Sequence, residues 1–214
     1  MTANTDVSRK IISSDCVAEG TIWLSQNVPE FAQVLPALKP LPLRLREDGF
    51  GALLDAIIGQ QISTSAANAI AQKMKNAQLV MPVQILAASD EELRAAGQSM
   101  QKIKYLRSLA HADLDYVALR EMPAKEVMKT LTALPGIGPW TAEIYAMFSL
   151  GHADVFPSGD LALQEAARVL FDLPERPKPK AMADLAIAWS PWRSVAARLL
   201  WAYYREIKKR EGIR

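Results

Sequence analysis

The sequence predicts an all-α fold, and three observations support this prediction. Apolar residues recur at the spacing of amphipathic helices along most of the 214-residue chain, strand-like alternation is scarce, and half of the residues are hydrophobic. A chain of this length can bury a substantial core without metals or disulfides. The single cysteine, Cys16, excludes a disulfide framework. With only His111 and His152 beside it, no zinc or iron–sulfur spacing is present.

The predicted helices follow one another from residue 50 onward. Apolar residues form the stripe of an amphipathic helix over 50–58, and an Ala-rich stretch predicts a second helix over 64–75. Similar stripes predict further helices over 83–95, 102–111, 125–134, 140–150, 161–171, 181–189 and 191–208. Prolines at positions 36, 40 and 42 separate a short N-terminal helical segment from the rest, and residues 173–180 ("LPERPKPK") form the clearest internal linker.

Charge and hydropathy narrow the class of protein. The formal net charge of +2 indicates no particular partner, but runs of Lys and Arg occur at 101–107, 175–180 and 205–214. Such clusters can form a local phosphate-binding surface, although solvated helix faces and a frayed tail are the better explanation for each run taken alone. Residues 1–10 lack the apolar core of a signal peptide, and no apolar run approaches the roughly 20 residues of a membrane span. We therefore expect a soluble, cytoplasmic protein.

The stretch "LPGIGPWT" (134–141) predicts a tight turn between two helices. Gly136 and Gly138 have no Cβ, so they tolerate positive φ and let a bulky ligand approach the backbone. Pro139 suits the first position of the following helix, where its missing N–H costs nothing. The unpaired N–H groups of that helix end form a natural phosphate site, with the hydroxyl of Thr141 as one more donor. A plain helix–turn–helix corner is an equally good interpretation of these residues alone.

Asp160 follows the turn "FPSG" (156–159) and suits the N-cap of a helix that begins at Leu161. A capping carboxylate accepts backbone N–H bonds, so we expect an anion here at neutral pH. Most aspartates in this setting only cap a helix. Asp160 lies one helix after the glycine turn, however, and a backbone phosphate bound at that turn would bring a sugar within reach of the carboxylate.

A short loop is predicted between the helices at 50–58 and 64–75. Gly59 is a plausible C-cap and Ser63 a plausible N-cap, which leaves Gln60, Gln61 and Ile62 between them. Two consecutive amides on such a loop can be offered to a hydrogen-bonding partner. The alternative is that they satisfy local backbone groups.

Four segments, taken in order, resemble one protein family: "IIGQQIS" (57–63), "GQSMQKIKYLRSLA" (97–110), "LPGIGPWTAEIYAMFSLGHADVFPSGDLAL" (134–163) and "WSPWRSVAARLLW" (189–201). The chain resembles the helix–hairpin–helix superfamily of base-excision DNA glycosylases and, within it, the 3-methyladenine DNA glycosylase II branch. The resemblance extends over about residues 50–205. A glycine hairpin alone is shared by many DNA-binding proteins, but hairpin, helix and "VFPSGD" at this spacing are specific. The chain resembles the compact form, which has no N-terminal β domain.

The resemblance implies two helical subdomains that flank a DNA-binding cleft. One would hold residues 50–150, with the helix–hairpin–helix motif at about 125–150. The other would combine residues 1–49 with the C-terminal helices of 151–214, which also contain the Asp160 loop. The hairpin and Asp160 would lie at the mouth of the cleft, and we expect the protein to act as a monomer on double-stranded DNA that contains damaged bases.

The resemblance also assigns roles to single residues. Gly136, Gly138 and Thr141 would hold a DNA phosphate through the hairpin. Gln61, with Gln60 beside it, would fill the gap left by a flipped nucleotide. Asp160 would stabilise the oxocarbenium character of the sugar as the base leaves. No cofactor is implied beyond a possible structural monovalent cation, held by the backbone carbonyl oxygens of Thr132, Leu134 and Ile137.

Aromatic residues would form the base pocket, because electron-rich rings attract the positive charge of an alkylated purine. Trp140 and Trp201 match the family's pocket tryptophans, with Tyr145, Phe156 and Trp23 as further candidates. Ile144 stands where one family member has a pocket tyrosine. This departure leaves the detailed lesion range of this protein open. Core packing is the alternative for each aromatic residue, and we expect it for Trp192.

Trp140 also bears on the mechanism. Bifunctional relatives have a lysine at this position, which attacks the sugar, forms a Schiff base and cleaves the strand. A tryptophan cannot, so the resemblance implies a monofunctional enzyme that leaves an abasic site and has no AP lyase activity. Two alternatives remain: a related glycosylase for deaminated or oxidised bases, and a DNA-binding module without chemistry.

Overall fold

The computed structural model describes residues 9–210, and helices account for nearly all of its regular structure. Within this range no strand forms, and the only β-type pairing is an isolated bridge between Lys10 and His152. The predicted all-α class is confirmed. Two compact units are present: a central unit of residues 46–145, and a terminal unit of residues 1–45 and 146–214.

The helices of the described range have the following bounds: α1 (Ser14–Asn27), α2 (Pro29–Val34), α3 (Phe50–Ile58), α4 (Thr64–Asn76), α5 (Pro82–Ala87), α6 (Asp90–Ala95), α7 (Met100–His111), α8 (Tyr116–Glu121), α9 (Ala124–Thr132), α10 (Pro139–Phe148), α11 (Leu161–Leu170), α12 (Pro179–Leu185) and α13 (Arg193–Arg210). Short 3₁₀ turns follow α2 (Leu35–Ala37) and α12 (Ala186–Trp189). None of the helices that the structure describes is long and apolar enough to cross a membrane.

The terminal unit is built around α13, which packs against α11 and α1. Its core contains an aromatic cluster centred on the buried Trp189. The rings of Phe31, Phe156 and Phe171 lie 5.3, 5.2 and 5.8 Å from that indole. Trp192 is also buried, as expected.

The two chain segments of the terminal unit are joined by backbone hydrogen bonds between residues 9–11 and 151–153. The amide of Ile11 donates to the carbonyl of Gly151 (2.6 Å), and the amide of Ala153 donates to the carbonyl of Arg9 (2.9 Å). These two bonds attach residues 9–11 to the segment that leads into the Asp160 turn.

The central unit is organised around α7, which packs against α3, α5 and α6. The apolar stripe predicted for 50–58 is buried, including Leu53, Leu54 and Ile57. The unit ends within α10, whose first seven residues belong to it and whose last three belong to the terminal unit.

Two predicted helices differ from the structure. The stripe over 83–95 is two helices, because Ser89 and Glu92 form a reciprocal capping box that starts α6. The stripe over 181–189 is α12 followed by a 3₁₀ turn. The short helix α8 was not predicted; its N-cap is Asp115, whose carboxylate accepts the amide of Ala118.

Candidate nucleic-acid interface and catalytic residue

The glycine stretch forms a tight hairpin between α9 and α10. Leu134 donates its amide to Leu131, and Ile137 donates its amide to the carbonyl of Leu134 (3.0 Å). Pro139 is the first residue of α10, as its missing N–H predicts. The carbonyl of Gly138 accepts the amide of Ala142 and so opens the hydrogen-bond ladder of that helix.

The two hairpin glycines are needed for different reasons. Gly136 has φ +90°, and a Cβ there would overlap the ring of Tyr105 on α7. At Gly138 the space where a Cβ would lie is open, with no atom within 4 Å. Gly136 therefore allows close packing inside the protein, whereas Gly138 leaves the outer backbone accessible. Thr141, in the first turn of α10, is only 8% exposed.

The loop between α3 and α4 has the predicted limits. Gly59 is the C-cap of α3, and the hydroxyl of Ser63 caps α4 by accepting the amide of Ala66 (3.2 Å). Gln61 is exposed and has φ +60°, a left-handed conformation that is uncommon outside glycine. Ile62 beside it is 38% exposed. We refer to residues 59–63 as the inter-helix loop.

Gln60 behaves differently from its neighbour. It is half-buried, and its side-chain Nε2 donates to the carbonyl oxygen of Gly136 in the hairpin (2.7 Å). Two residues before Gln60, the carbonyl of Ile58 at the end of α3 accepts the Nζ of Lys102 from α7 (2.6 Å). Burial lowers the pKa of Lys102. One side of the inter-helix loop is thus attached to α7 and to the hairpin.

Asp160 is the N-cap of α11, as predicted. Its Oδ1 accepts the amides of Ala162 (2.9 Å) and Leu163 (3.1 Å), and its own amide donates to Pro157 (2.9 Å). The amide side chain of Gln164 reaches back to the carbonyl of Ser158 (2.8 Å). The carboxylate is half-exposed, so a capped and fixed anion is presented at the surface of the terminal unit.

An ion pair holds the turn that leads to Asp160. Arg193, the first residue of α13, binds Asp154 with two hydrogen bonds (Nε to Oδ1 2.7 Å, Nη2 to Oδ2 2.9 Å), and Ser190 donates its hydroxyl to Oδ2 (2.9 Å). Burial acts to raise the pKa of Asp154, but the hydrogen bonds and charge of Arg193 and the bond from Ser190 outweigh it and lower the pKa. We call this contact the loop clamp.

The buried side chain of Ser194 completes the attachment of this segment. Its hydroxyl lies 2.6 Å from the carbonyl of His152 and 2.9 Å from that of Val155, and it accepts the amide of Val155 (3.3 Å). The amide of Ser194 donates to Ala153 (2.8 Å). The start of α13 therefore fixes the backbone on both sides of Asp154.

The predicted pocket residues fall into both units. In the central unit Trp140 is 49% exposed, whereas Tyr145 is buried and its hydroxyl accepts the amide of Gly49 (2.9 Å). Burial raises the pKa of Tyr145. In the terminal unit Trp201 is half-buried, with its ring 5.9 Å from that of Phe148.

The remaining aromatic candidates lie in the terminal unit. Phe156 is buried against Trp189, so its ring contributes to the core beneath the Asp160 turn. Trp23 on α1 is half-buried. Of all the aromatic candidates, Trp140 is the most exposed, while Tyr145 and Phe156 have clear packing roles.

Sequence reasoning missed a buried arginine behind Trp201. Arg198 is 2% exposed, and its guanidinium donates to the carbonyls of Ser194 (2.8 Å) and Leu43 (3.1 Å). It lies 4.7 Å above the ring of Phe148, the neighbour of Trp201. Burial, with Arg44 nearby, lowers the pKa of Arg198 to about 10, so the side chain is charged at neutral pH.

The loop clamp was also missed, although its residues are within quoted motifs. Arg193 and Ser194 lie in "SPWRS", and Asp154 lies in "DVFPSGD". Each motif contains a charged residue of opposite sign, Arg193 in one and Asp154 in the other, but nothing in the periodicity indicated that the two pair.

Comparison with known proteins identifies what the chain is similar to. A family model described as "HhH-GPD superfamily base excision DNA repair protein" matches residues 54–192. DNA-3-methyladenine glycosylase 1 of Schizosaccharomyces pombe is 30% identical over 94% of this chain and 92% of that protein. DNA-3-methyladenine glycosylase 2 of Escherichia coli is 28% identical over 72% of this chain and 57% of that protein.

Solved structures give the same result. The S. pombe 3-methyladenine DNA glycosylase Mag1 in complex with abasic DNA aligns with a TM-score of 0.72 at 30% identity, over 86% of this chain and 95% of that one. The DNA-3-methyladenine glycosidase of Bacillus halodurans aligns with a TM-score of 0.80 at 32% identity, over 94% of both chains.

Proposed function

The chain belongs to the HhH-GPD superfamily of base excision DNA repair proteins, and from this premise we propose that it hydrolyses the N-glycosidic bond of alkylated purines in duplex DNA without cutting the strand. The family and the full-length similarity show that the protein is a DNA glycosylase that removes alkylated bases in base-excision repair. What we propose beyond this is that the reaction is hydrolysis alone and that single residues have the roles given below.

Asp160 is the observation that carries the proposal. Its carboxylate is half-exposed, its Oδ1 is held by two amides, and the turn before it is fixed by the loop clamp. A capping bond alone would not require the turn before Asp160 to be fixed by a separate ion pair from α13. This arrangement supports a catalytic charge rather than a capping residue alone.

The hairpin is the proposed grip on the DNA backbone. Open space at Gly138 and the N-terminus of the ten-residue helix α10 support a phosphate contact through main-chain N–H groups. Such a contact positions the duplex without reading its sequence. Thr141 is buried, so its hydroxyl contributes less than the backbone.

Gln61 is the proposed wedge. A base inside a duplex stack must be flipped out before its glycosidic bond can be reached, and a side chain must then occupy the gap. Gln61 stands exposed on the inter-helix loop, whereas the amide of Gln60 is donated to the hairpin. Of the two amides predicted for this role, Gln61 is the one we retain.

Trp140 in the central unit and Trp201 in the terminal unit are each proposed as a ring that attracts an alkylated base. A purine alkylated at a ring nitrogen carries a positive charge, and cation–π attraction to an indole favours it by about 1 to 2 kcal/mol over a neutral base. Arg198 packs against Phe148 and so supports the ring beside Trp201. Tyr145, bonded to Gly49, and Phe156, packed on Trp189, contribute to the cores of their own units.

Asp160 then acts on the sugar. As the glycosidic bond breaks, its electron pair leaves with the base and neutralises the base's positive charge, while positive charge develops on the deoxyribose. A fixed carboxylate stabilises that developing cation, and water completes the reaction at the anomeric carbon. Because position 140 is a tryptophan, no amine is available there to replace water, and an abasic site is the product.

The hairpin carbonyls fit a monovalent cation in type. Backbone carbonyl oxygens are ligands that hard cations accept, and Thr132, Leu134 and Ile137 would supply them. The oxygen of Leu134 already accepts the amide of Ile137, which leaves one lone pair for a cation. Such an ion would stiffen the hairpin and take no part in bond breaking. No further cofactor is proposed.

A panel of duplex oligonucleotides tests the proposal. Each contains one lesion: 3-methyladenine, 7-methylguanine, 1,N6-ethenoadenine, hypoxanthine or uracil. We expect release of the alkylated bases, strand breaks only after alkali or heat, and no borohydride-trapped adduct. Release of uracil or hypoxanthine alone would move the protein to another lesion class, and a trapped adduct would overturn the monofunctional mechanism.

A further inference from the structure

Three elements of the central unit form a closed set of contacts around the hairpin. Lys102 and Tyr105 lie one turn apart on α7 and therefore share a face of that helix. Lys102 holds the end of α3 through the carbonyl of Ile58, and Tyr105 packs beneath Gly136. The hydrogen bond from Gln60 to Gly136 joins the two supported segments and closes the set.

This bond fixes one peptide group of the hairpin from both sides. The peptide between Gly136 and Ile137 accepts Gln60 at its carbonyl oxygen and donates its N–H to Leu134. Both polar groups are therefore satisfied, and the plane of the peptide cannot rotate without losing two bonds. Tyr105 blocks movement of Gly136 toward α7. The orientation of the hairpin thus depends on a side chain of the inter-helix loop.

The same bond limits the inter-helix loop. Gln61 follows Gln60 directly, and its left-handed backbone is a conformation that persists only where the surroundings impose it. The surroundings here are the attached side chain of Gln60 on one side and the cap at Ser63 on the other. Gln60, whose side chain is hydrogen-bonded to the hairpin, therefore directly precedes the exposed Gln61.

We propose that Gln60 is a positioning residue that couples the hairpin to the inter-helix loop, so that gripping the DNA backbone and filling the gap occur as one rigid step. The inference rests on the proposed function, in which the hairpin binds phosphate and Gln61 is the wedge. It requires a hydrogen-bond donor at position 60, because the partner is a carbonyl oxygen. A side chain of the same size that cannot donate would leave the two segments uncoupled.

The substitution Gln60→Glu tests this requirement with almost no change in shape. An ionised carboxylate repels the carbonyl of Gly136, whereas the protonated acid donates its O–H to the same oxygen. Gln78→Glu is the matched control, because Gln78 is an exposed glutamine of the same unit that also has a left-handed backbone (φ +56°). Wild type is measured over the same pH series, which corrects for the titration of Lys102 beside the loop.

The readout is the single-turnover fluorescence rise of 2-aminopurine placed beside a lesion, which reports opening of the stack, recorded together with base release. At about pH 8 we expect Gln60→Glu to open the stack about ten-fold more slowly than wild type, and Gln78→Glu to match wild type. As the pH falls toward about 5, the Gln60→Glu rate should return toward that of wild type at the same pH. A purely structural defect would not recover.

Gln60→Leu provides a second measurement that does not depend on charge. We expect its stack opening to be slowed at every pH, with a melting temperature near that of wild type. Wild-type rates in either Gln60 variant at about pH 8, or a Gln60→Glu defect that is the same at every pH, would overturn the coupling. A wild-type protein that neither opens the stack nor releases the base would overturn the proposed function as well, so the two failures are distinguishable.

Discussion

Asp160 caps α11 and has a proposed catalytic role, and one substitution separates the two. Asn is as good an N-cap as Asp, so Asp160→Asn should leave α11 and the melting temperature nearly unchanged. The negative charge is lost, however, and with it the stabilisation of a sugar cation that exists only near the transition state. We expect single-turnover base release to fall by about a hundred-fold or more while duplex affinity stays the same or rises slightly.

Asp115→Asn is the control for this prediction. Asp115 caps α8 in the same way, by accepting the amide of Ala118, and has no proposed part in the chemistry. Both variants should retain stability, and only Asp160→Asn should lose activity. A variant at position 160 that releases 3-methyladenine at the wild-type rate would show that this carboxylate is a cap and nothing more.

The two hairpin glycines predict opposite results. Gly138→Leu places a bulky side chain in open space on the proposed phosphate site, so affinity for lesion and undamaged duplex should fall by about ten-fold each, with stability preserved. Gly136→Ala should instead destabilise the fold by about 1 kcal/mol or more, since its φ of +90° and Tyr105 both oppose a side chain. Fluorescence anisotropy and thermal melts distinguish the two, and equal affinity in Gly138→Leu would exclude the hairpin as the grip.

At the scale of elements, the loop clamp attaches the segment that leads to Asp160 to the start of α13. Arg193→Lys loses the bidentate geometry and leaves the half-buried Asp154 poorly paired, so we expect about 1 to 3 kcal/mol less stability. The turn before Asp160 should also loosen. The rate of base release per folded molecule should therefore fall, while the affinity for undamaged duplex scarcely changes.

A second arginine of the terminal unit provides the comparison. Arg168 also binds a carboxylate with two hydrogen bonds, but that carboxylate, Glu165, lies one turn away on the same helix α11. Arg168→Lys should change stability by at most about 0.5 kcal/mol and leave base release intact. If both variants behave alike in single-turnover assays, the clamp has no positioning role.

Local features of these elements could be predicted from the sequence. The caps at Ser63 and Asp160 and the placement of Pro139 were predicted correctly, because they depend on residues within one turn of each other. The stripe over 83–95 misled for a related reason: apolar spacing continues across the break, and only the Ser89–Glu92 capping box reveals it.

Pairings between distant residues could not be predicted in this way. Gln60 meets Gly136 across 76 positions, and Arg193 meets Asp154 across 39. Periodicity describes which face of an element is apolar, but not which polar group on another element it will meet. For this reason the sequence predicted the caps and turns within each segment but not the contacts that hold the segments in place.

The response of the whole molecule to pH should depend on His152. This side chain is fully buried beside Lys10, whose Nζ lies 2.9 Å from Nε2. Burial, followed by the charge of Lys10, lowers the pKa of His152 to about 4. In the unfolded chain the pKa is near the ordinary value of about 6.5, so between these values the unfolded state binds more protons.

Stability should therefore be complete above about pH 6.5 and decline by up to about 1.4 kcal/mol per unit as the pH falls to about 4. Urea unfolding across this range measures the slope. His152→Leu should flatten it, whereas His111→Gln, at the exposed second histidine, should leave it unchanged. A wild-type slope that persists in His152→Leu would assign the acid sensitivity to carboxylates instead.

The order of the chain within the two units has a consequence for biosynthesis. The central unit is one uninterrupted stretch, residues 46–145. All the helices that pack together in this unit are therefore present once that stretch has left the ribosome. The terminal unit needs residues from both sides of it, and α1 must wait for α13 to be made. Until then the apolar faces of α1 and α2, which include Val17, Leu24 and Phe31, are exposed to solvent in the nascent chain. This N-terminal segment is therefore the part that needs protection from aggregation during synthesis.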